Sequence, residues 1–165
     1  MEKLFRAFYL SPIGSIAITA TEQSIVSVLF TDDPTEPDTA NLPPCLTDCL
    51  QQLAEYFAGK RKVFQLPIAS AGTNFQEQVW HQLSKINYGN TLSYYDLSVQ
   101  LGNLGAIRAV GSANGKNKLL LIRPCHRVIG SDGQLVGYAG GLWRKKWLLA
   151  HERKINGTHQ LTLFG

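Results

Sequence analysis

Residues 93–113 read SYYDLSVQLGNLGAIRAVGSA, and this stretch decides the fold of the half of the chain that contains it. Ser93 followed three positions later by Asp96 is a helix start, because the serine hydroxyl can accept a backbone N–H that the first helical turn leaves without a partner. Leu97 and Leu101 give this helix an apolar side, and Gly102-Asn103 ends it. After the turn, Ala106, Ile107, Ala109, Val110 and Ala113 are small or apolar residues at helical spacing, which suits a second, tightly packed helix. Two short helices joined by a glycine turn predict a helix-turn-helix whose second helix can lie against a groove of DNA.

Upstream, Asn74-Phe75-Gln76-Glu77 resembles a capping arrangement and opens a helix with Phe75, Val79, Leu83 and Ile86 on one face. Residues 67–73 carry Pro67, Gly72 and alanines without periodicity, so the interdomain linker is expected there and the domains at 1–72 and 73–165. In the first domain, residues 5–10, 15–20 and 25–30 are aromatic and β-branched runs separated by turn residues, the pattern of an antiparallel meander. Residues 31–44 hold four prolines and mark a surface connection. Leu46, Leu50, Leu53 and Phe57 then recur at helical spacing until Gly59, so the fold class is α+β.

Downstream, Pro124-Cys125-His126-Arg127-Val128 places a thiol beside an imidazole. A cysteine is mostly thiol at neutral pH, and a histidine is the usual group for drawing off its proton; a small buried hydrophobe is the other reading of Cys125. In an extended strand these neighbours would diverge, so they can communicate only if the chain bends or a water bridges them. Gly130-Ser131-Asp132-Gly133 followed by Leu135-Val136 predicts a hairpin or wing, and 142–152 a final amphipathic helix. That helix bears Arg144, Lys145 and Lys146, either a solvated face or a DNA contact. Leu119 to Ile122 reads as a buried strand, so the guanidinium of Arg123 must reach solvent, a carboxylate or a phosphate.

The 165 residues carry a net charge of +4 and a pI near 9.0, which permits a polyanionic partner. The first twenty residues contain neither a signal-peptide core nor a membrane span, so no membrane association and a cytoplasmic location are expected. Three cysteines cannot all pair, and in a reducing compartment Cys45, Cys49 and Cys125 remain thiols. Cys45 and Cys49 lie four apart on a helix without a nearby histidine or further cysteine, so no metal site is expected.

The ordered set Arg108-Ala109-Val110-Gly111, Asn117, Pro124 to Val128, Gly137-Tyr138-Ala139-Gly140-Gly141-Leu142 and Trp147 to Glu152 closely resembles the O6-alkylguanine-DNA alkyltransferases, also called methylated-DNA-protein-cysteine methyltransferases. The resemblance is specific over 73–152 and general before that. It implies a ribonuclease-H-like N-terminal domain, a winged-helix-like C-terminal domain, and irreversible single-turnover transfer of a methyl or small alkyl group from O6-alkylguanine, with O4-alkylthymine a second substrate class. The partner implied is double-stranded DNA carrying the lesion, bound by a monomer that needs no cofactor.

In the resemblance Cys125 is the acceptor, His126 the base acting through a water, and Glu152 the carboxylate that holds the histidine, which parallels other nucleophile-base-carboxylate triads. Tyr94 matches the proton donor to the departing guanine, and Tyr138 a residue lining the base pocket. The carbonyls of Cys125 and Val128 would receive the guanine amino group. Arg108 matches the arginine that fills the space left by the flipped nucleotide. Asn117 matches a hinge asparagine bonded to backbone, and Lys145 a position close to the active-site loop. The chain departs from the pattern at Lys118, where proline is common, and at Arg123, where an apolar residue is common. Rival readings are a lesion binder without transfer activity, which would lack the acceptor cysteine, a winged-helix transcription factor, and a cysteine hydrolase.

Overall fold

The computed structural model describes residues 2–38 and 40–164, with side chains as far as residue 157; His159 and Phe164, given no role from the sequence, lie beyond those side chains. The chain divides into two compact units, Met1–Ala71 with Lys118–Ile122, and Gly72–Asn117 with Arg123–Gly165. The single boundary expected after residue 72 thus becomes three crossings, at 71/72, 117/118 and 122/123.

In the first unit β1 (Phe5–Ser11), β2 (Gly14–Ala20) and β3 (Ile25–Thr31) form the expected antiparallel meander in that order. Ser11 pairs with Gly14, whose φ of 111° suits glycine at the reversal. Ile16, Ile18 and Ala20 alternate onto the buried face, against which α1 (Pro44–Phe57) packs. The helix buries Cys45, Leu46, Cys49, Gln52, Leu53 and Tyr56, a stripe rotated from the expected one. Leu50 and Phe57 fall at its margin, where Phe57 stacks on Tyr9 with ring centroids 5.9 Å apart. The free edge of β3 is covered twice. Pro67 accepts from Ile25 at 2.8 Å and Ala69 donates to Ile25 at 2.9 Å, so the expected linker begins as a paired segment. Lys118 accepts from Val28 at 2.8 Å and Leu120 donates to Val28 at 3.1 Å, which seats the apolar run 119–121 in this unit's core. Leu121 takes φ 72°, a strained left-handed conformation for leucine, just before the chain leaves this unit.

The second unit holds α2 (Asn74–Leu83), α3 (Tyr94–Gln100), α4 (Ile107–Gly115) and α5 (Leu142–Phe164), with β4 (Leu92–Ser93) paired in parallel to β5 (Val128–Ile129). The cap of α2 is Thr73, reciprocally bonded to Gln76, one residue before the expected position. Ser93 caps α3 as expected, accepting from the Asp96 N–H. A 3-10 turn, Leu104–Ala106, leads into α4, which completes the helix-turn-helix. Val79, Leu83, Leu97, Val110, Val128 and Leu148 form the core, and the indole of Trp80 donates to the Ala113 carbonyl at 2.8 Å, tying α2 to α4. After Ile129 the chain turns where expected, with the Gly130 N–H on the Gln134 carbonyl at 2.8 Å, but 130–141 contain no strand, and Val128-Ile129 pair with Leu92-Ser93 instead.

Candidate active site

Between Asn117 and Arg123 the chain passes through the first unit, and on its return the Asn117 side chain donates to the Arg123 carbonyl at 3.0 Å, closing the neck of the excursion. Cys125–Arg127 then form a 3-10 turn, with the Arg127 N–H on the Pro124 carbonyl at 3.0 Å and the Val128 N–H on that of Cys125. This is the bend that lets adjacent side chains enter one site. All three are buried, Cys125 at 3% exposure and His126 at 0%.

Glu152 meets them from α5, where Lys145, Leu148, Leu149 and Glu152 recur at helical spacing on the buried side. Its carboxylate accepts from His126 Nε2 at 2.7 Å, from Arg127 Nε at 2.8 Å and Nη2 at 3.2 Å, and from the Gly89 N–H at 3.3 Å. Arg127 is itself fixed by donation from Nη1 to the Ile86 carbonyl at 2.7 Å. Burial alone would raise the Glu152 pKa, but its interactions with His126 and Arg127 hold it well below the usual carboxylate range. An ionised carboxylate can only accept, so His126 must carry its proton on Nε2. Nδ1 is left as a bare lone pair, buried and without a partner among the described residues. Burial also lowers the His126 pKa, so the ring rests neutral and can take a proton.

Burial pushes the Cys125 thiol up to about 11, opposed by a hydrogen bond from Asn117 and the charge of Lys145. Cys49 is pushed up to about 12 by burial, and Cys45 is raised for the same reason while donating to the Thr21 carbonyl at 3.6 Å. Neither has a neighbouring histidine, so Cys125 alone combines a thiol with a base. Among the described residues no group of three or more histidine, cysteine or acidic side chains could hold a metal ion, and no helix is long and apolar enough to cross a membrane.

The Tyr94 hydroxyl donates to the Val136 carbonyl at 3.3 Å and accepts from Asn114 Nδ2 at 3.2 Å; burial raises its pKa and the Asn114 bond lowers it. The Tyr138 ring meets His126 edge-on at 6.5 Å, with its hydroxyl buried and without a hydrogen-bond partner among the described residues. Val128 pairs with Leu92. Arg108 is exposed on α4.

The basic run on α5 behaves differently from either expectation. Arg144 and Lys145 are buried, and Lys145 Nζ donates to the carbonyls of Val136 and Gly137 at 2.9 and 3.1 Å. Only Lys146 of the three is exposed. Burial lowers the Lys145 pKa to about 8, so near neutrality its ammonium is a buried positive charge acting on Cys125. The carbonyl of Cys125, expected to meet the guanine amino group, already accepts from Val128 and, at 3.5 Å, from Asn114. Arg123 resolves inward, stacked on Trp80 at 4.6 Å with Nη2 3.8 Å from Glu77. Sequence reasoning missed the roles of Arg127 and Asn114. Arg127 stood unassigned inside the quoted pentapeptide, and Asn114 is a polar residue on the same helical side as Val110 and Ala113.

Residues 74–154 match the family 6-O-methylguanine DNA methyltransferase, DNA binding domain, and residues 4–70 match its ribonuclease-like domain. The chain belongs to the 6-O-methylguanine DNA methyltransferase family. It is 42% identical over 158 residues to the methylated-DNA–protein-cysteine methyltransferase of Mycolicibacterium paratuberculosis, covering 93% of this chain and 94% of the relative. The constitutive enzyme of that name from Bacillus subtilis is 39% identical, covering 88% and 93%. A crystal structure of Mycobacterium tuberculosis O6-methylguanine methyltransferase superposes with a TM-score of 0.82 at 37% identity, covering 92% of this chain and 94% of that one. The Mycobacterium tuberculosis OGT in complex with DNA gives 0.81 at 38%, covering 90% and 92%. The α+β fold and the DNA-binding second unit expected from the sequence are those of this family.

Proposed function

We propose that Cys125 is the acceptor through which this chain performs the methyl transfer of its family, once per molecule, from O6-alkylguanine in duplex DNA, with O4-alkylthymine a second substrate class. The activity itself, methylated-DNA–protein-cysteine methyltransferase, follows from membership; its assignment to residues is our reading. The observation that carries it is the 2.7 Å contact of His126 Nε2 with Glu152, which leaves Nδ1 without a partner among the described residues one position from a buried thiol.

The thiol proton passes through a water to His126 Nδ1, and Glu152 stabilises the imidazolium that results. The thiolate attacks the alkyl carbon, the S–C bond forms as the C–O bond breaks, and the electron pair stays on guanine. Tyr94 protonates the guanine anion, which avoids expelling a strong base. The Tyr138 hydroxyl and the Val128 carbonyl are polar groups available to the base. The ammonium of Lys145 favours the thiolate, and Asn117 holds the turn that presents it. The lesion must leave the base stack to be reached, and Arg108, exposed on the second helix of the helix-turn-helix, fills the space. The protein works as a monomer, in the cytoplasm.

Titrating the protein against excess methylated duplex tests this reading. Repaired DNA should plateau at one equivalent of protein, and accumulation well past that point contradicts an acceptor that is never regenerated.

A further inference from the structure

Asn114 lies on α4 at 5% exposure, with each half of its amide in a different situation. Nδ2 donates to the Tyr94 hydroxyl at 3.2 Å and faces the Cys125 carbonyl at 3.5 Å, whereas Oδ1 is buried with no partner among the described residues. The two ends of an amide are nearly isosteric, but the Cys125 carbonyl distinguishes them. Turning the amide over would set two oxygens against each other beside that carbonyl, so the N–H end must face both Tyr94 and Cys125.

This orientation has a consequence for the phenol. A hydroxyl that accepts from Asn114 has one lone pair occupied, and its single proton must point elsewhere, at present toward the Val136 carbonyl at 3.3 Å. An oxygen acceptor in place of Nδ2 would instead draw the phenol proton away from the site. We propose that Asn114 is a positioning residue that fixes the Tyr94 hydroxyl as a donor toward the bound base and stabilises the phenolate formed when that proton is given up. This rests on the assignment of Tyr94 as proton donor. In the step concerned, the C–O electron pair moves onto guanine, the Tyr94 proton moves to the guanine anion, and the negative charge left on the phenol oxygen receives the Asn114 N–H. Solvent reprotonates the phenol after the base leaves.

The test is a double-mutant cycle of Asn114→Leu and Tyr94→Phe, measured as single-turnover transfer rates from a duplex containing O6-methylguanine with protein in excess. Leucine keeps the branching of asparagine while removing the donor, and the smaller Asn114→Ala serves in its place if the bulkier leucine variant does not fold. Asn114→Leu should slow transfer about tenfold, the worth of one hydrogen bond to a group that becomes charged. It should have no further effect in the Tyr94→Phe background, because it acts only through the phenol. Equal slowing in both backgrounds would mean that Asn114 merely supports the turn, and would overturn the proposal. So would a rate within twofold of wild type while Tyr94→Phe is slow. If Tyr94→Phe itself transfers at the wild-type rate, the proton-donor assignment fails, and the Asn114 proposal with it. A leaving group of lower basicity gives an independent readout: the penalty of Asn114→Leu should shrink on an 8-aza-substituted O6-methylguanine, whereas misplacement of the turn would slow both substrates alike.

Discussion

Replacing Glu152 by glutamine changes one atom and should disable the site by two separable routes. The carboxylate gathers four donors, and two of them come from the buried guanidinium of Arg127. Removing its charge leaves Arg127 buried without a counter-ion, which costs about 3–5 kcal/mol and lowers the unfolding midpoint by about 6–20 °C. The second route is chemical. The glutamine amide can donate to His126 Nε2, which shifts the ring proton to Nδ1 and abolishes the lone pair that takes the thiol proton. With the Cys125 thiol up near 11, loss of that base should slow transfer by about 10²–10⁴-fold at neutral pH. The pH dependence separates the routes. Because Glu152 titrates below its usual value in the folded chain, the unfolded chain binds more protons as pH falls below about 4.5. The stabilisation from Glu152 is therefore present in full above that pH and is lost as pH falls through the folded value, and the glutamine variant should lack this component. Single-turnover rates at several pH values, together with thermal unfolding from pH 3 to 8, measure both effects. A variant within twofold of wild type in rate, with an unchanged midpoint, would refute the role given to this carboxylate.

Three other substitutions probe the surroundings. Arg127→Met should destabilise the protein and bring the Glu152 titration back toward the usual range; an unchanged acid limb of the stability profile would exclude Arg127 as the group that keeps Glu152 ionised. Arg123→Met should cost about 1–2 kcal/mol through the lost stacking on Trp80 and the lost pairing with Glu77, without altering the salt dependence of DNA binding. A salt slope reduced by about one unit would instead place this guanidinium on a phosphate. Arg108→Ala should slow repair in duplex DNA more than transfer from free O6-methylguanine, since flipping costs roughly a few kcal/mol only in the duplex. Equal slowing on both substrates would make Arg108 a structural residue.

The elements that the sequence revealed are those whose signals are local. The three strands of the meander, the cap of α3 and the apolar face of α2 each follow from residues within one or two turns of one another. Leu119–Ile122 is legible as a buried apolar run, but such a run is the same whichever sheet edge it covers; it makes an isolated bridge to Val28 rather than the expected strand, and that contact is non-local. The wing is reduced to a turn closed between Gly130 and Gln134, because a glycine turn followed by Leu135-Val136 is compatible with paired strands but does not require them. Here Val128 and Ile129 find their partners in Leu92 and Ser93. The composition of the site was legible from the pentapeptide at 124–128, but its electrostatics were not. Lys145 and Glu152 sit on the buried side of α5, where charge is unfavourable unless satisfied. The groups that satisfy them, the carbonyls of Val136 and Gly137 and the side chains of His126 and Arg127, come from a loop without periodicity and a turn 25 or more residues away.

The central claim is that the Cys125 sulfur forms the new bond. Intact-protein and peptide mass spectrometry after incubation with a duplex containing O6-methylguanine tests it most directly, with Cys125→Ser as the control. One added CH2 unit per molecule, confined to the peptide that contains Cys125 and missing from the serine variant, is the expected result. A methyl group on Cys45 or Cys49, transfer by the serine variant, or loss of the lesion with no change in protein mass would contradict the account.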